Sequence, residues 1–387
     1  MNKKRKVLVI GHDASLSGAP ILLLNLFRLL IEREVVDVQF VIRRGGPLVE
    51  AYKEVAPVIV LKQSKFGEEK NFLLLIAHWI GNKIKLARVL MKAFSCDYIF
   101  FNTVVNGRLM RWFRFHHKPV ITYVHELENV INLYLKSKDA VLPLFSSNII
   151  AYPSLTTKDL LICKYKIPAA KLKELSYYFP FSQNDYDAGR ASDMRKAFRQ
   201  KLGIDENDFL VGAVGTISQR KGIDLFMEVG EKIKLSNSAI KLVWVGSFES
   251  SQQESDIRNL IKQKRLESNL FFTGSLPYDI YNFSAFDIFF LASREDTYPL
   301  VVLEAAIMKV PSICFSGSGG IIEFIGNDAG WIAGDFSAEK VAAKIIELQT
   351  VRNVVALRGN RAFEKVISLH CNADRVINQF GNVAADI

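Results

Sequence analysis

Short apolar runs alternate with amphipathic stretches through the first half of the chain, and this rhythm predicts parallel strands joined by helices. The first run is followed by a glycine-bearing loop and by a helix that we expect to begin near Ile21. Strand, loop and helix in this order are typical of a Rossmann-like unit. The predicted strands of this half are Lys6–Ile10, Val38–Ile42, Val58–Leu61, Tyr98–Phe101, Val120–Val124 and Asn148–Tyr152.

The same rhythm returns after a polar stretch, Pro180–Ala191, which we interpret as a hinge between two domains. A crossing strand, Lys173–Tyr178, is predicted before this hinge, and a helix, Met194–Leu202, after it. The later strands are predicted at Phe209–Val214, Lys241–Gly246, Leu270–Gly274, Asp287–Ser293 and Val310–Phe315. The pattern therefore predicts an α/β fold with two Rossmann-like domains, residues 1–179 and 180–368.

Polar residues follow one of these strands directly, in the stretch Ser293–Glu304. Pro299 suits the first turn of the next helix, where its missing amide hydrogen costs nothing. The free amides and dipole of that helix favour an anion, whereas the nearby acids would bind hydroxyl groups. A nucleotide sugar offers both, a diphosphate and a set of hydroxyls. The alternative is an ordinary helix start whose acids suit the dipole.

Two further strand ends carry related chemistry. The strand ending at Val214 leads into a glycine-bounded turn with the adjacent cations Arg220 and Lys221. The strand ending at Phe315 leads to Gly319 and Gly320, where missing side chains let backbone amides approach a phosphate. Fixed cations would stabilise a nucleoside diphosphate as it leaves.

These motifs resemble those of family-4 retaining glycosyltransferases of the GT-B fold, whose signature has two glutamates with seven residues between them. Glu304 matches the second acid, and Asp296, or its neighbour Glu295, stands at the first. The family also has an arginine where this chain has Thr216. The donor-binding residues that the resemblance implies are Gly18, Thr216, Arg220, Lys221, Tyr298, Pro299, Leu300, Val301, Glu304, Gly319 and Gly320.

The resemblance also extends to the first domain. The family has His-Asp after the equivalent of Val120–Val124, with the histidine beside the donor sugar; here the pair is His125 and Glu126. We assign His125 a catalytic role together with Asp296 or Glu295. The predicted acceptor-side residues are His12, Asp13, Asn102 and Glu126. Capping of the first loop is an equal alternative for His12 and Asp13. In this fold the last helix, within residues 369–387, returns to the first domain.

Composition and charge limit the possible classes of protein. At 387 residues, 49% hydrophobic and 23% charged, the chain fits a soluble protein with two cores. Four scattered cysteines indicate neither disulfides nor a metal site. The apolar run Val7–Ile10 is too short for an export leader. We therefore predict a cytoplasmic protein.

The net charge of +10 is unevenly distributed, with 27 Lys+Arg against 14 Asp+Glu in residues 1–181 and 23 against 26 in the remainder. Basic residues mix with apolar and aromatic ones in Asn71–Phe94 and Arg108–Lys118. Such segments suit a helix in a membrane interface or single-stranded nucleic acid, and equally a core-facing helix with a charged outer face. We predict peripheral contact with the inner face of the membrane and no nucleic acid partner.

We therefore predict a retaining, metal-independent transferase without a cofactor. It would move a hexose-type sugar from a nucleoside-diphosphate donor, UDP or GDP, to a saccharide or lipid-linked acceptor in bacterial polysaccharide or glycolipid synthesis. Two alternatives remain: a nucleotide-sugar epimerase of the same fold, and a non-catalytic protein that binds nucleic acid through the basic first half.

Overall fold

The computed structural model describes residues 4–62, 72–113, 116–136, 140–236 and 239–387. The chain divides into two compact units, Met1–Pro180 with His370–Ile387, and Phe181–Leu369. Each unit contains one parallel sheet flanked by helices. The predicted α/β fold with two such domains is confirmed. Among the described residues, no helix combines the length and the apolar character needed to cross a bilayer.

The first unit contains a seven-stranded sheet in the order β3-β2-β1-β4-β5-β6-β7. Its strands are β1 (Arg5–Asp13), β2 (Val36–Arg44), β3 (Val58–Lys62), β4 (Tyr98–Asn102), β5 (Val120–Tyr123), β6 (Ile149–Tyr152) and β7 (Leu172–Glu174). Val9 on β1 pairs with Phe40 on one side and Phe100 on the other. The strand order reverses between β1 and β4, and ligands of open α/β sheets bind at such a switch point.

Helices cover both faces of this sheet, as buried parallel strands require. They are α1 (Gly18–Glu32), α2 (Val49–Val55), α3 (Phe72–Ser95), α4 (Gly107–Met110), α5 (Glu128–Lys136), α6 (Val141–Ser146) and α7 (Leu155–Cys163). Two predicted boundaries are wrong. His12 and Asp13, expected in a loop, end β1, and Gly18, expected in the same loop, begins α1.

The end of the chain belongs to the first unit. The helices α14 (Arg352–His370) and α15 (Ala373–Ala385) are separate because the Asn372 side chain caps the second. The Phe380 ring lies 6.0 Å from that of Phe27 on α1 and 6.4 Å from that of Phe100 on β4. This aromatic contact anchors the last helix on the first sheet.

The second unit contains a six-stranded sheet in the order β10-β9-β8-β11-β12-β13. Its strands are β8 (Phe209–Val214), β9 (Ile240–Val245), β10 (Leu270–Gly274), β11 (Ile288–Leu291), β12 (Ser312–Phe315) and β13 (Gly330–Ala333). The remaining helices are α8 (Ala188–Leu202), α9 (Ile223–Ser236), α10 (Ser251–Gln263), α11 (Leu300–Ile307), α12 (Ile321–Ile325) and α13 (Ala338–Thr350). In this sheet the strand order reverses between β8 and β11.

Two expectations for the segment before the second sheet are corrected, and one strand of that sheet was not predicted. The predicted crossing strand is shorter, and only β7 pairs with the sheet. Helix α8 begins six residues before Met194 because Asp187 caps it through the Arg190 amide. Strand β13 was not predicted, since its four residues between a turn and a polar loop carry little apolar pattern.

Candidate functional site

The turn after β8 brings a lysine to the carboxyl edge of the second sheet. Gly215 and Gly222 bound this turn with φ values of 140° and 80°, which only glycine adopts without strain. A Cβ atom on Gly222 would lie 2.0 Å from the Ala292 carbonyl oxygen, so the turn packs directly against the segment after β11. The turn is therefore held at the point where the strand order reverses.

Lys221 contacts one of the two candidate acids across this edge. Its Nζ atom forms an ion pair with Oδ2 of Asp296, and both side chains are mostly buried. The Ser293 hydroxyl donates to the same carboxylate oxygen at 3.3 Å. The lysine and the first signature acid therefore lie together, although 75 residues separate them in the sequence.

Arg220 turns towards the backbone of the same edge. Its Nη1 donates to the Glu295 carbonyl oxygen at 3.1 Å, and its own carbonyl accepts from the Arg294 amide at 3.0 Å. Arg294 in turn forms an ion pair with Asp224 on α9. The exposed Thr216, at the position of the family's arginine, follows Gly215 directly. The guanidinium of Arg220, the residue before Lys221, is therefore held against the loop after β11.

The loop after β12 is joined to this edge by backbone hydrogen bonds. The Asp296 amide donates to the Ser318 carbonyl at 3.2 Å, and the Gly320 amide donates to the Thr297 carbonyl at 3.0 Å. The Gly320 amide is thus committed within the loop, contrary to the expectation that it faces a phosphate. Gly319 has a φ of 103°, a conformation that requires glycine.

Glu304 is buried on α11, the helix between β11 and β12. It accepts a hydrogen bond of 3.0 Å from the hydroxyl of Tyr278, an exposed residue that the sequence did not single out. Burial raises the pKa of Glu304 to about 7, although the Tyr278 hydrogen bond lowers it. The carboxyl is therefore poised between its two protonation states near neutral pH.

The start of α11 differs slightly from the prediction. Pro299 caps the helix and does not lie within its first turn, which Leu300 and Val301 begin. Tyr298, the residue before the cap, is buried. Within this first turn, the Val302 amide donates to the Pro299 carbonyl at 3.2 Å.

In the first unit, the predicted histidine lies at the carboxyl edge of β5, and two side chains fix its orientation. Its Nε2 lies 2.6 Å from the Asn102 amide oxygen, and its Nδ1 lies 3.1 Å from the Tyr177 hydroxyl. Because the Asn102 nitrogen donates to the Ala19 carbonyl at 3.2 Å, its oxygen faces His125. Nε2 therefore carries the proton and donates it to Asn102.

Burial, assisted by the positive field of His12, lowers the pKa of His125 to about 3. The imidazole is therefore neutral at physiological pH and cannot act there as an acid. Tyr177, which follows β7, was missed because nothing in its local sequence distinguishes it from a core aromatic residue.

Glu126 accepts hydrogen bonds from backbone amides around this histidine. Its Oε2 accepts from the His125 amide at 2.9 Å and from the Val104 amide at 3.4 Å. Burial raises its pKa to about 7, although these hydrogen bonds lower it. The carboxyl thus braces the turn at Thr103, whose φ is 73°.

His12 and Asp13 form the third part of this edge. Asp13 Oδ1 accepts hydrogen bonds from the Ser15 amide at 3.1 Å and the Ser15 hydroxyl at 2.8 Å, so it caps the turn. His12 Nε2 lies 3.4 Å from Asp13 Oδ2, and its buried Nδ1 makes no hydrogen bond among the described residues. Within the parts of the chain that the structure describes, no three His, Cys, Asp or Glu side chains converge as a metal site would require.

Part of the second unit matches a known protein family in sequence. Residues 194–360 match the model of the family described as glycosyl transferases group 1. This segment contains every second-unit residue of the candidate site.

Solved structures with the same architecture cover nearly the whole chain. HepE of Anabaena in complex with UDP-glucose superposes with a TM-score of 0.80 over 98% of this chain and 100% of that chain, at 17% identity. WaaG, a glycosyltransferase involved in lipopolysaccharide biosynthesis, gives 0.70 over 98% and 99%, at 14% identity. The chain therefore has the GT-B fold, as predicted.

Curated relatives match over shorter stretches. The alpha-galactosylglucosyldiacylglycerol synthase of Streptococcus pneumoniae is 28% identical over 29% of this chain and 30% of that protein. The poly(ribitol-phosphate) alpha-N-acetylglucosaminyltransferase of Staphylococcus aureus is 28% identical over 42% and 32%. The chain spans about a third of the length of these relatives.

Proposed function

We propose that this chain is a retaining, metal-independent glycosyltransferase. It transfers a hexose-type sugar from a nucleoside-diphosphate donor to a saccharide or lipid-linked acceptor in bacterial surface polysaccharide or glycolipid synthesis. The observation that carries the proposal is the Lys221–Asp296 pair at the switch point of the second sheet, inside the segment that matches the transferase family.

Lys221 binds the diphosphate of the donor and stabilises the negative charge that grows as the glycosidic bond breaks. A fixed cation in a partly dry site is suited to this task because it needs no reorganisation during the reaction. Arg220 supplements it from the same turn, in place of the family's arginine. The Gly319 backbone lets the loop after β12 approach the diphosphate closely.

The two acids bind hydroxyl groups of the donor. Glu304 binds the ribose. Its ionised carboxylate accepts hydrogen bonds from two neighbouring ribose hydroxyls, which replace the hydroxyl of Tyr278 or bind beside it. Asp296, not Glu295, binds the sugar, because it is the acid whose side chain pairs with Lys221. The diphosphate competes with Asp296 for that lysine, so donor binding releases the carboxylate for the sugar.

His125 orients the sugar as a neutral group, because its low pKa excludes proton donation. In the front-face displacement that we propose, the leaving diphosphate therefore accepts the proton of the attacking acceptor hydroxyl. The edge formed by His12 and Asn102 belongs to the acceptor side.

UDP is our first candidate for the nucleotide, since HepE is similar in fold and was solved with UDP and with UDP-glucose. The acceptor class is suggested by relatives named for diacylglycerol glycolipids and for poly(ribitol-phosphate). We further propose a cytoplasmic location with peripheral membrane contact.

A thermal-shift screen against UDP-, GDP-, ADP- and dTDP-sugars tests the donor assignment. A ligand at 100 times its Kd stabilises the native state by about 2.7 kcal/mol, so one nucleotide should raise the melting temperature clearly. Lys221→Met should reduce that shift to about a third or less, whereas Lys262→Met, an exposed change on α10, should leave it intact. Transfer to a lipid-linked or saccharide acceptor, with the anomeric configuration read by NMR, tests the reaction. Conversion of the donor to a stereoisomer without any acceptor would contradict the proposal.

A further inference from the structure

Helix α3 of the first unit has three distinct stripes along its described side chains. The core stripe, Leu86, Val89, Leu90 and Ala93, packs with Ile99 and Phe101 of the sheet. Among the other described side chains of the helix, the Phe94 ring packs edge-on against that of His116, with 4.2 Å between ring centroids.

The second stripe is apolar although it faces solvent. Ile84, Met91 and Phe94 are 51%, 64% and 64% exposed, and Ala87 between them is exposed as well. Spacings of three, four and three residues place these side chains on one line along the helix. Monomeric soluble proteins rarely expose contiguous apolar surface without a binding role.

The third stripe is basic and runs beside the apolar one. Lys85, Arg88 and Lys92 follow the same helical spacing, one turn position away. The 3-10 turn Arg111–Phe113 packs against α3 and adds Trp112, which is 49% exposed. No acidic residue occurs in residues 72–95 or 107–113. Glu50 and Lys53 of α2 line a groove together with Lys85 and Arg88, so basic residues predominate at this surface.

We propose that this surface, Ile84, Met91, Phe94 and Trp112 with Lys85, Arg88 and Lys92, docks the first unit on a bilayer that contains anionic lipids. An apolar stripe beside a cationic stripe, with the core stripe behind them, is the arrangement of a helix lying in a membrane interface. The apolar side chains enter the acyl boundary, and the cations contact the lipid phosphates.

Single-stranded nucleic acid fits this surface less well. Nucleic acid binding needs aromatic rings on which successive bases stack, whereas Ile84 and Met91 offer aliphatic groups that have no partner on a base. A bilayer gives both kinds of side chain a partner. The inference does not rest on the proposed transfer, because it concerns a surface whose binding is measured without any donor.

Flotation of the full chain with vesicles tests this surface. The chain should bind vesicles of phosphatidylcholine with phosphatidylglycerol much more tightly than vesicles of phosphatidylcholine alone, and salt should weaken the binding. The triple variant K85S/R88S/K92S should bind the anionic vesicles about a hundredfold less tightly, since each basic residue at such a surface contributes about fivefold. The pair I84S/M91S should lower binding at least about tenfold, because it removes apolar area from the lipid boundary.

The matched control is K196S/K201S/K262S, which removes the same charge from exposed positions of the second unit and should bind like the wild type. Equal losses of affinity for anionic vesicles in the two triple variants would overturn the proposal. So would equal binding of the wild type to both kinds of vesicle, or binding to neither kind. Tighter binding to polyuridylic acid than to anionic vesicles, lost in K85S/R88S/K92S, would assign the surface to nucleic acid instead. A failed transferase assay leaves these results unaffected.

Discussion

The protonation of Glu304 makes donor affinity depend on pH. Burial raises the pKa of this carboxyl to about 7, and only the ionised form accepts both ribose hydroxyls. At about pH 6, roughly a tenth of the free protein carries the charge, so Kd for a UDP-sugar should be about tenfold larger than well above pH 7. The sign follows from the raised pKa: affinity falls as pH decreases through it.

Replacement of Glu304 by Gln tests this reasoning with little change in shape. The variant loses hydrogen bonds to a charged group, worth about 1.5–3 kcal/mol, so affinity above pH 8 should fall roughly 10- to 150-fold. Its affinity should also become independent of pH between about 6 and 8. Isothermal titration with an intact nucleotide sugar is the suitable assay, because such a donor has no phosphate that titrates in this range.

Glu126 provides the matched control for this titration. Its carboxyl is also buried, and its pKa is likewise raised to about 7, but it lies in the first unit. Glu126→Gln should therefore keep the pH dependence of donor binding. His125 and His370 do not confuse the result, since burial lowers their pKa values to about 3 and 4. A pH dependence that survives in Glu304→Gln, or disappears in Glu126→Gln, would refute the assignment.

Two further substitutions test how the edge of the second sheet is built. Asp296→Asn removes the partner of Lys221, so titration calorimetry should show severalfold tighter binding of UDP. Sugar transfer should fall at least about tenfold. Weaker binding of UDP would contradict the proposed competition between the carboxylate and the diphosphate for Lys221. Gly222→Ala places a Cβ atom against the Ala292 carbonyl at a positive φ, so denaturant unfolding should show a loss of more than about 2 kcal/mol, together with loss of donor binding. Gly203 also has a positive φ but faces open space, so Gly203→Ala should lower the free energy of unfolding by only about 1 kcal/mol and keep donor binding. Equal losses of stability in the two variants would show that the contact between Gly222 and Ala292 is unimportant.

Local features of the fold could be predicted from the sequence. The strand, glycine and helix around Lys221 lie within a few residues of each other, so periodicity and turn chemistry identify them together. The same holds for β10, whose predicted and observed bounds agree. Helix starts were less accurate where a side-chain cap or a glycine, as at Asp187 and Gly18, extends the helix beyond its apolar pattern.

Contacts between distant segments could not be predicted in this way. The family resemblance supplied Glu304, but its partner Tyr278 comes from the segment after β10, and no periodic pattern indicates that meeting. The same is true of Tyr177, whose hydroxyl contacts Nδ1 of His125 from 52 residues away. The sequence left the choice between Asp296 and Glu295 open, and our proposal of Asp296 rests on its ion pair with Lys221.

The most direct test of the account compares how two ligands respond to one substitution. We propose that Lys221 contacts the diphosphate and not the nucleoside. Lys221→Met should therefore weaken binding of UDP by about 30-fold or more, as expected for a desolvated charge pair, while changing uridine affinity by less than about twofold. Both affinities can be measured by titration of the wild type and the variant. Equal losses for uridine and UDP, or no loss for either, would contradict a sugar–diphosphate site at this edge.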